Sequence, residues 1–382
     1  MLFDEPPKKR VEDLYNFKEE LEQLIETLRA GTRLTVITGL RRTGKTSLLL
    51  TALEEGGFKH VVVDARILAQ HPTISRKDFI NSFERDVNKF LTREKSWAKK
   101  FFDRARGVRG VELFFDPLPR ISLSWGPTLG ESTDLPALIE TLGKTAEERG
   151  TRVVLAFDEA QELRRLAGYN LTKLFAYIYD HVAGVQLVVT GSQVGLLQDF
   201  LGVDNATSPL YGRARVNIRT RMLTAEEAEE FLRIGFEQIG MRVEEKLLAE
   251  AVERVGGIVG WLTYLGATAR RRKRFDKGVI TEALEEGAKL AAKELENFLF
   301  YRLQARNRYL TILKYLADRG KARWSWLKRG LEVEEGRSVA DNIFTNILVN
   351  LVKAGYVAKD VENTYYIPDP MLVHALRLNL VR

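Results

Sequence analysis

Two short stretches carry residue types that could do phosphate chemistry together. "GLRRTGKTSLLL", residues 39–50, contains the pattern G-x-x-x-x-G-K-T. In such a loop successive backbone N–H groups turn inward on an anion, and the helix that follows adds the positive end of its dipole. Gly39 and Gly44 permit the turn, and Leu40, Arg41, Arg42, Thr43 and Ser47 complete the cradle. Lys45 is expected to reach the β- and γ-phosphates of a nucleotide, and the Thr46 hydroxyl to ligate Mg²⁺. "RVVLAFDEAQEL" supplies the acidic counterpart, an apolar strand ending in Asp158 and Glu159. Parallel sheets take ligands at that strand end. Asp158 is expected to hold Mg²⁺ through water, and Glu159 to orient and polarise the attacking water.

Two later stretches complete a hydrolysis set. "VQLVVTGSQ" ends in Thr190 and Ser192, hydroxyls at the same edge that could sense a γ-phosphate. "LYGRARVNIRTRML" carries Arg213, Arg215, Arg219 and Arg221 at odd positions, which in a strand share one face. Charge on a transferred phosphoryl group calls for a cation. Arg213 follows Gly212 and precedes the strand, so it is the expected arginine finger, acting in trans within a homo-oligomer. The expected catalytic set is therefore Lys45, Asp158, Glu159, Ser192 and Arg213, with Thr46 and Asp158 at the metal.

The elements that must position these residues alternate. Residues 12–30 read as an amphipathic helix ending at Gly31. "RLTVITG" reads as a strand running into the glycine loop, "KTSLLLTALEEGG" as a helix and "HVVVDARI" as a second strand. That is the unit of a parallel α/β sheet. Residues 68–135 interrupt it with two helical stretches and a small β insertion around a Pro-rich turn. The alternation resumes and ends with a strand near residue 222. A helical stretch follows, opened by a capping box at Thr224 and Glu227. From residue 301 the order is helix, helix, helix, hairpin, that of a winged helix-turn-helix. The expected division is 1–222 for the core with its insertion, 223–300 for a helical lid and 301–382 for the winged helix.

Composition narrows the chemistry. The 382 residues include no cysteine, which excludes disulfides, thiolate catalysis and Cys-ligated metals. The four histidines, His60, His71, His181 and His374, are too scattered for a His-rich metal site. No apolar run reaches the length of a membrane span. The charged N-terminus lacks the apolar core of a secretory signal, so a cytoplasmic protein is expected. The net charge of +7 permits an acidic partner.

Three basic clusters compete for such a partner. "ARRRKRF" (Arg270, Arg271, Arg272, Lys273, Arg274) ends a lid helix, where cations also suit the helix dipole. The insertion's "REKSWAKKFFDRARGVR" interleaves bases with Trp97, Phe101 and Phe102, which could stack on nucleobases or form core. "DRGKARWSWLKRG" brings Arg319, Lys321, Arg323, Lys328 and Arg329 to the winged helix. The helix after it should be the groove reader. Its polar face, Asn342, Thr345, Asn346, Asn350 and Lys353, carries little charge.

"GLRRTGKTSLL", "LAFDEAQEL", "VVTGSQVGLL", "LYGRARV" and "VGGIVGWLTYLG", in that order, make the sequence similar to the archaeal ATPase family, within the AAA+ and STAND-like branch of P-loop proteins. The resemblance spans residues 12–380, and the Orc/Cdc6 replication initiators are relatives. It implies an α/β fold: an AAA+-like αβα P-loop NTPase sandwich with a helical lid and a C-terminal winged-helix domain. It also implies ATP as ligand. Two positions depart from the family pattern and both touch the base pocket. Asn16 and Phe17 stand in place of Gly and Arg, and Val259 stands in place of a lid proline. The expected function is Mg-dependent ATP binding and hydrolysis driving conformational change in a DNA-associated ATPase. The alternative is a STAND-type regulatory switch acting on protein partners without DNA.

Overall fold

The computed structural model describes residues 1–68, 72–115, 119–126 and 132–381. His71 and residues 116–118 of the expected Pro-rich turn lie outside them. Five strands form one parallel sheet: β1 (Leu34–Thr38), β2 (Lys59–Asp64), β5 (Val153–Asp158), β6 (Val185–Gly191) and β7 (Val216–Arg219), in the order β2-β5-β6-β1-β7. Every residue of β5 and β6 is buried. That burial is why both read as unbroken apolar runs, since a parallel sheet is covered on both faces. Alternation divides their side chains between two cores. Val153, Leu155 and Phe157 face a cluster built with α3 (Arg76–Arg93), α4 (Lys95–Ala105), α5 (Leu135–Glu147) and α6 (Leu171–His181). Val154 and Ala156 face a smaller one with α1 (Lys18–Arg29) and α2 (Lys45–Glu55).

The insertion holds α3, α4 and the antiparallel hairpin β3 (Val111–Phe114) and β4 (Arg120–Leu123). Trp97, Phe101 and Phe102 are all buried there, so they are core and present no stacking surface. A single 3-10 turn covers Val11–Asp13, and the first α-helix begins only at Lys18. Asn16 takes φ 54°, a left-handed conformation that breaks the helix, and Asn tolerates it better than most residues. The four arginines of "GRARVNIRTR" do not share a face. Strand β7 is only four residues long, and Arg213, Arg215 and Arg221 diverge to Asp180, Asp204 and Glu227.

After α7 (Val194–Leu201) and β7 the chain becomes helical: α8 (Ala225–Gln238), α9 (Glu245–Val255), α10 (Val259–Arg272) and α11 (Lys277–Phe300). Thr224 and Glu227 form the expected capping box on α8. Next come α12 (Arg306–Arg319), β8 (Lys321–Arg323), α13 (Trp324–Glu335), α14 (Asp341–Lys353), β9 (Ala358–Lys359), β10 (Thr364–Tyr366) and α15 (Pro370–Arg377). Strands β8-β10-β9 make the antiparallel wing sheet. One continuous hydrophobic cluster runs from α8 to α15. The N-terminus joins it: Phe3 is fully buried beside Gly235 and Gly266, where any Cβ would collide with its ring. Among the described residues no helix is long and apolar enough to cross a membrane.

Candidate functional site

The glycine loop lies between β1 and α2. Gly44 is the N-cap of α2 with φ 87°, a conformation that favours glycine. Gly39 packs so closely on Thr220, just past β7, that a Cβ would clash. Thr220 in turn shares a hydrogen bond with the Thr43 hydroxyl at 2.7 Å, so the edge strand braces the loop. Sequence reasoning missed this residue; its position at the end of a strand beside β1 is the signal. Lys45 is buried, and its ammonium donates to the Leu40 carbonyl at 2.6 Å. Burial pulls its pKa down, against the opposing charges of Glu159 and Asp158.

The carboxylates stand opposite, at the carboxyl end of β5, beside the end of β6. The Thr46 hydroxyl donates to Asp158 Oδ2 at 2.9 Å, and the Thr190 hydroxyl donates to Asp158 Oδ1. Burial raises the Asp158 pKa, with the neighbouring charge of Glu159 adding to it, while Thr190, Arg66 and Thr46 work the other way. The result is a buried carboxylate that a cation would suit. Glu159 follows in a left-handed conformation, φ 53°. Its Oε2 accepts from the Ser192 N–H at 3.1 Å, from the Ser192 hydroxyl at 2.5 Å and from Gln161 Nε2 at 2.6 Å. Burial pushes the Glu159 pKa up, but Lys45 and these donors prevail, so the group sits below the ordinary carboxylate value. Each strand-end hydroxyl is thus bonded to a carboxylate: Thr190 to Asp158 and Ser192 to Glu159.

Two further residues went unread. Arg66, just beyond β2, bridges Asp64 and Asp158, donating to Asp158 Oδ2 at 3.2 Å. The register that pairs Asp64 with Asp158 puts Arg66 at the same edge. Gln161 lies two residues past Glu159 in "DEAQEL" and is equally buried. Arg213 is not brought to this site; it pairs with Asp180 near the end of α6.

A cavity of about 320 Å³ opens from the loop toward the lid. Tyr15, Phe17 and Val259 line it, so both departures from the family pattern meet in one apolar wall. The N-terminal segment Asp4–Lys8 forms the opposite rim, and the Lys8 N–H donates to the Ser47 hydroxyl at 3.1 Å. The lid docks directly on the loop. Gly260 N–H donates to the Arg42 carbonyl at 2.9 Å, a contact a side chain at 260 would obstruct. Arg41 and Arg42 both pair with Glu294 of α11, at 3.1 and 2.5 Å. The Arg42 guanidinium also stacks 4.0 Å over Trp261. Arg41 reaches the Tyr356 hydroxyl beyond α14. These two loop residues therefore bind the lid and the winged helix.

Residues 14–265 match a family described as an ATPase domain predominantly from Archaea. The Walker-type ATPase PABY2304 of Pyrococcus abyssi is 32% identical, covers 99% of this chain and 100% of its own, and superposes with a TM-score of 0.81. The chain belongs to the archaeal ATPase family. Its activity is that of an ATPase, with ATP as the nucleotide. Residues 303–368 of this archaeal ATPase match the C-terminal winged helix-turn-helix domain of MCM proteins. The ORC2 protein of Aeropyrum pernix, solved with ADPNP and ADP, has the same fold at 15% identity and a TM-score of 0.59, over 99% of this chain and 96% of that one. Comparison with curated proteins finds no match.

The basic clusters fare differently from one another: in the winged helix Lys321 and Lys328 pair with Asp360 and Glu332, while Arg323 and Arg329 have no carboxylate within ion-pair distance among the described residues. In the lid run, Arg270 and Arg271 pair with Asp4 and Glu5, and Arg272 and Arg274 with Glu282 and Asp276. In the insertion, Arg104, Arg106 and Arg109 pair with Glu148, Asp103 and Asp134. On α14, Lys353 pairs with Asp199 and Asn350 bonds Tyr309, which leaves Asn342, Thr345 and Asn346 exposed.

Proposed function

We propose that this ATPase is Mg²⁺-dependent and couples ATP hydrolysis to movement of the lid and winged helix on DNA. The observation that carries the reading is the carboxylate edge. Asp158 is held by Thr46 and Thr190, and Glu159 by Ser192 and Gln161, all opposite the phosphate loop. Thr46 Oγ1 and Asp158 Oδ2 are hard oxygen donors 2.9 Å apart, which suits a cation that binds few protein groups and keeps its waters. Mg²⁺ there would neutralise phosphate charge as the bond breaks.

In this reading Lys45 leaves the Leu40 carbonyl for the phosphates. Glu159, kept ionised and fixed by three donors, orients the water and takes its proton. Ser192 and Thr190 are positioning residues for the two carboxylates. Arg213 would act in trans between subunits of a homo-oligomer, after release from Asp180. Residues 1–222, 223–300 and 301–382 would work as core, lid and winged helix, with the Arg41–Glu294–Tyr356 contacts linking all three. The family and the winged-helix match favour this reading over a switch acting on proteins alone.

ATP turnover measured with and without single- and double-stranded DNA, on wild type and Lys45→Ala, tests it. Stimulation by DNA that disappears in Lys45→Ala is expected; unchanged turnover with every DNA overturns it. For the trans finger, mixing Arg213→Ala with Glu159→Gln subunits should restore part of the turnover that each lacks alone. No restoration refutes that role.

A further inference from the structure

Directly beyond the carboxylate edge the core, the end of α11 and the winged helix enclose a second cleft, of about 650 Å³. Five arginines line it against two glutamates. One of those glutamates, Glu294, is already shared by Arg41 and Arg42, and the other, Glu162, pairs with Arg165 at 2.8 Å. Arg164 and Arg302 have no carboxylate within ion-pair distance among the described residues. Arg302 instead donates to the Phe298 carbonyl and stacks 3.8 Å over the Phe298 ring. Arg164 is exposed and Arg302 half-buried, so both guanidinium groups stay open to an incoming anion.

The cleft mouth is aromatic. Phe300 and Tyr301 follow one another at the end of α11, 61% and 47% exposed, with ring centroids 5.2 Å apart and nearly perpendicular. Exposed aromatic rings beside arginines are the arrangement that holds unpaired bases and their phosphates. Duplex bases are already stacked on each other and cannot use such rings. The winged helix also exposes a ring, Trp326, between Arg323 and Arg329, but its hairpin tip carries Asp360 and Glu362.

The cleft is also wired to the hydrolysis site. The short helical turn Ala160–Arg165 starts at Glu159 and ends at Arg164 and Arg165. Arg66 lines both this cleft and the nucleotide cavity while bonded to Asp158.

We propose that this cleft binds a single DNA strand, with Arg164 and Arg302 on its phosphates and Phe300 and Tyr301 against its bases, and that occupancy reaches Glu159 through the turn 160–165. The inference rests on the reading of the protein as a DNA-associated ATPase and assigns that association to a site other than the winged helix.

The test titrates fluorescent oligothymidylate, a duplex and free thymidine triphosphate into the full chain at several salt concentrations, alongside ATP turnover. Arg164→Ala/Arg302→Ala should weaken strand binding and lower the salt slope by about 1.4, at about 0.7 per lost phosphate contact. It should also abolish strand-stimulated turnover while leaving basal turnover unchanged. Tyr301→Ala should weaken binding by roughly tenfold. Arg164→Lys/Arg302→Lys should keep most of the salt slope, and Arg323→Ala/Arg329→Ala should leave strand binding as in wild type. Strand binding and stimulation that survive Arg164→Ala/Arg302→Ala overturn the cleft assignment alone. So does a cleft sensitive to these variants for thymidine triphosphate but not for the strand. Turnover indifferent to every DNA overturns the wider reading with it.

Discussion

At the end of α10 each of four arginines finds a carboxylate, two on the N-terminal segment and two on or beside α11. In the cleft below the nucleotide site, Arg164 and Arg302 find none within ion-pair range among the described residues. In sequence the lid run is far the more conspicuous cluster, five bases in a row, while "ELRRL" and "FYRLQ" attract no notice. A run of charge marks a functional surface only where the fold leaves it unpaired. Arg41 and Arg42 are an intermediate case: they sit inside the phosphate loop, yet their charge goes to Glu294.

The comparison can be broken at several points. The largest effect is expected at the carboxylate edge, where Asp158 and Glu159 are each held by several donors. Glu159→Gln should cut turnover by about 10²–10⁴-fold with nucleotide binding retained, measured as steady-state turnover beside equilibrium binding. Ser192→Ala leaves Glu159 in place but removes one hydroxyl donor, and kcat should fall about 10- to 100-fold. Comparable turnover in wild type and Ser192→Ala would show that the hydroxyl does not position Glu159.

Glu294→Gln should lower stability by about 1–2 kcal/mol at neutral pH, the scale of charge-assisted hydrogen bonds at a partly exposed site. Burial raises the Glu294 pKa, but Arg42 and Arg41 outweigh it, so the folded value lies below the ordinary 4.5. Its stabilisation is therefore present above pH 4.5 and lost as pH falls through the folded value. Thermal melts of Glu294→Gln should accordingly converge on wild type in acid; a constant gap at all pH values would remove Glu294 from the account. The smallest effect is expected at the lid run. Arg270→Ala/Arg271→Ala/Arg272→Ala should change DNA affinity by less than about twofold, because exposed paired charges contribute little. A large loss there would reverse the contrast between the lid and the cleft.

The nucleotide loop, the acidic strand end and the alternating elements were legible because each depends on local spacing. Gly44 and Thr46 are two residues apart, and Asp158 and Glu159 follow a strand whose six residues are all buried. The aromatic residues of α4 could be read as core or as a stacking face, and the fold makes them core; Asn16 misled. Helical spacing cannot tell a core face from a stacking face, and a single left-handed residue ends a helix that periodicity would extend. Arg213 rests on sequence position alone, because within its own chain it pairs with Asp180, away from the nucleotide loop.

The sequence by itself determined the phosphate loop, the carboxylates that face it and the parallel sheet that holds both. Backbone geometry and strand polarity follow from residue type and order. Only the tertiary structure decided what the hydroxyls and arginines are bonded to. Ser192 meets Glu159 across 33 positions, and Arg42 meets Glu294 across 252. Such pairs form because burial makes an unpaired charge or hydroxyl costly, and which partner answers that cost is settled by packing.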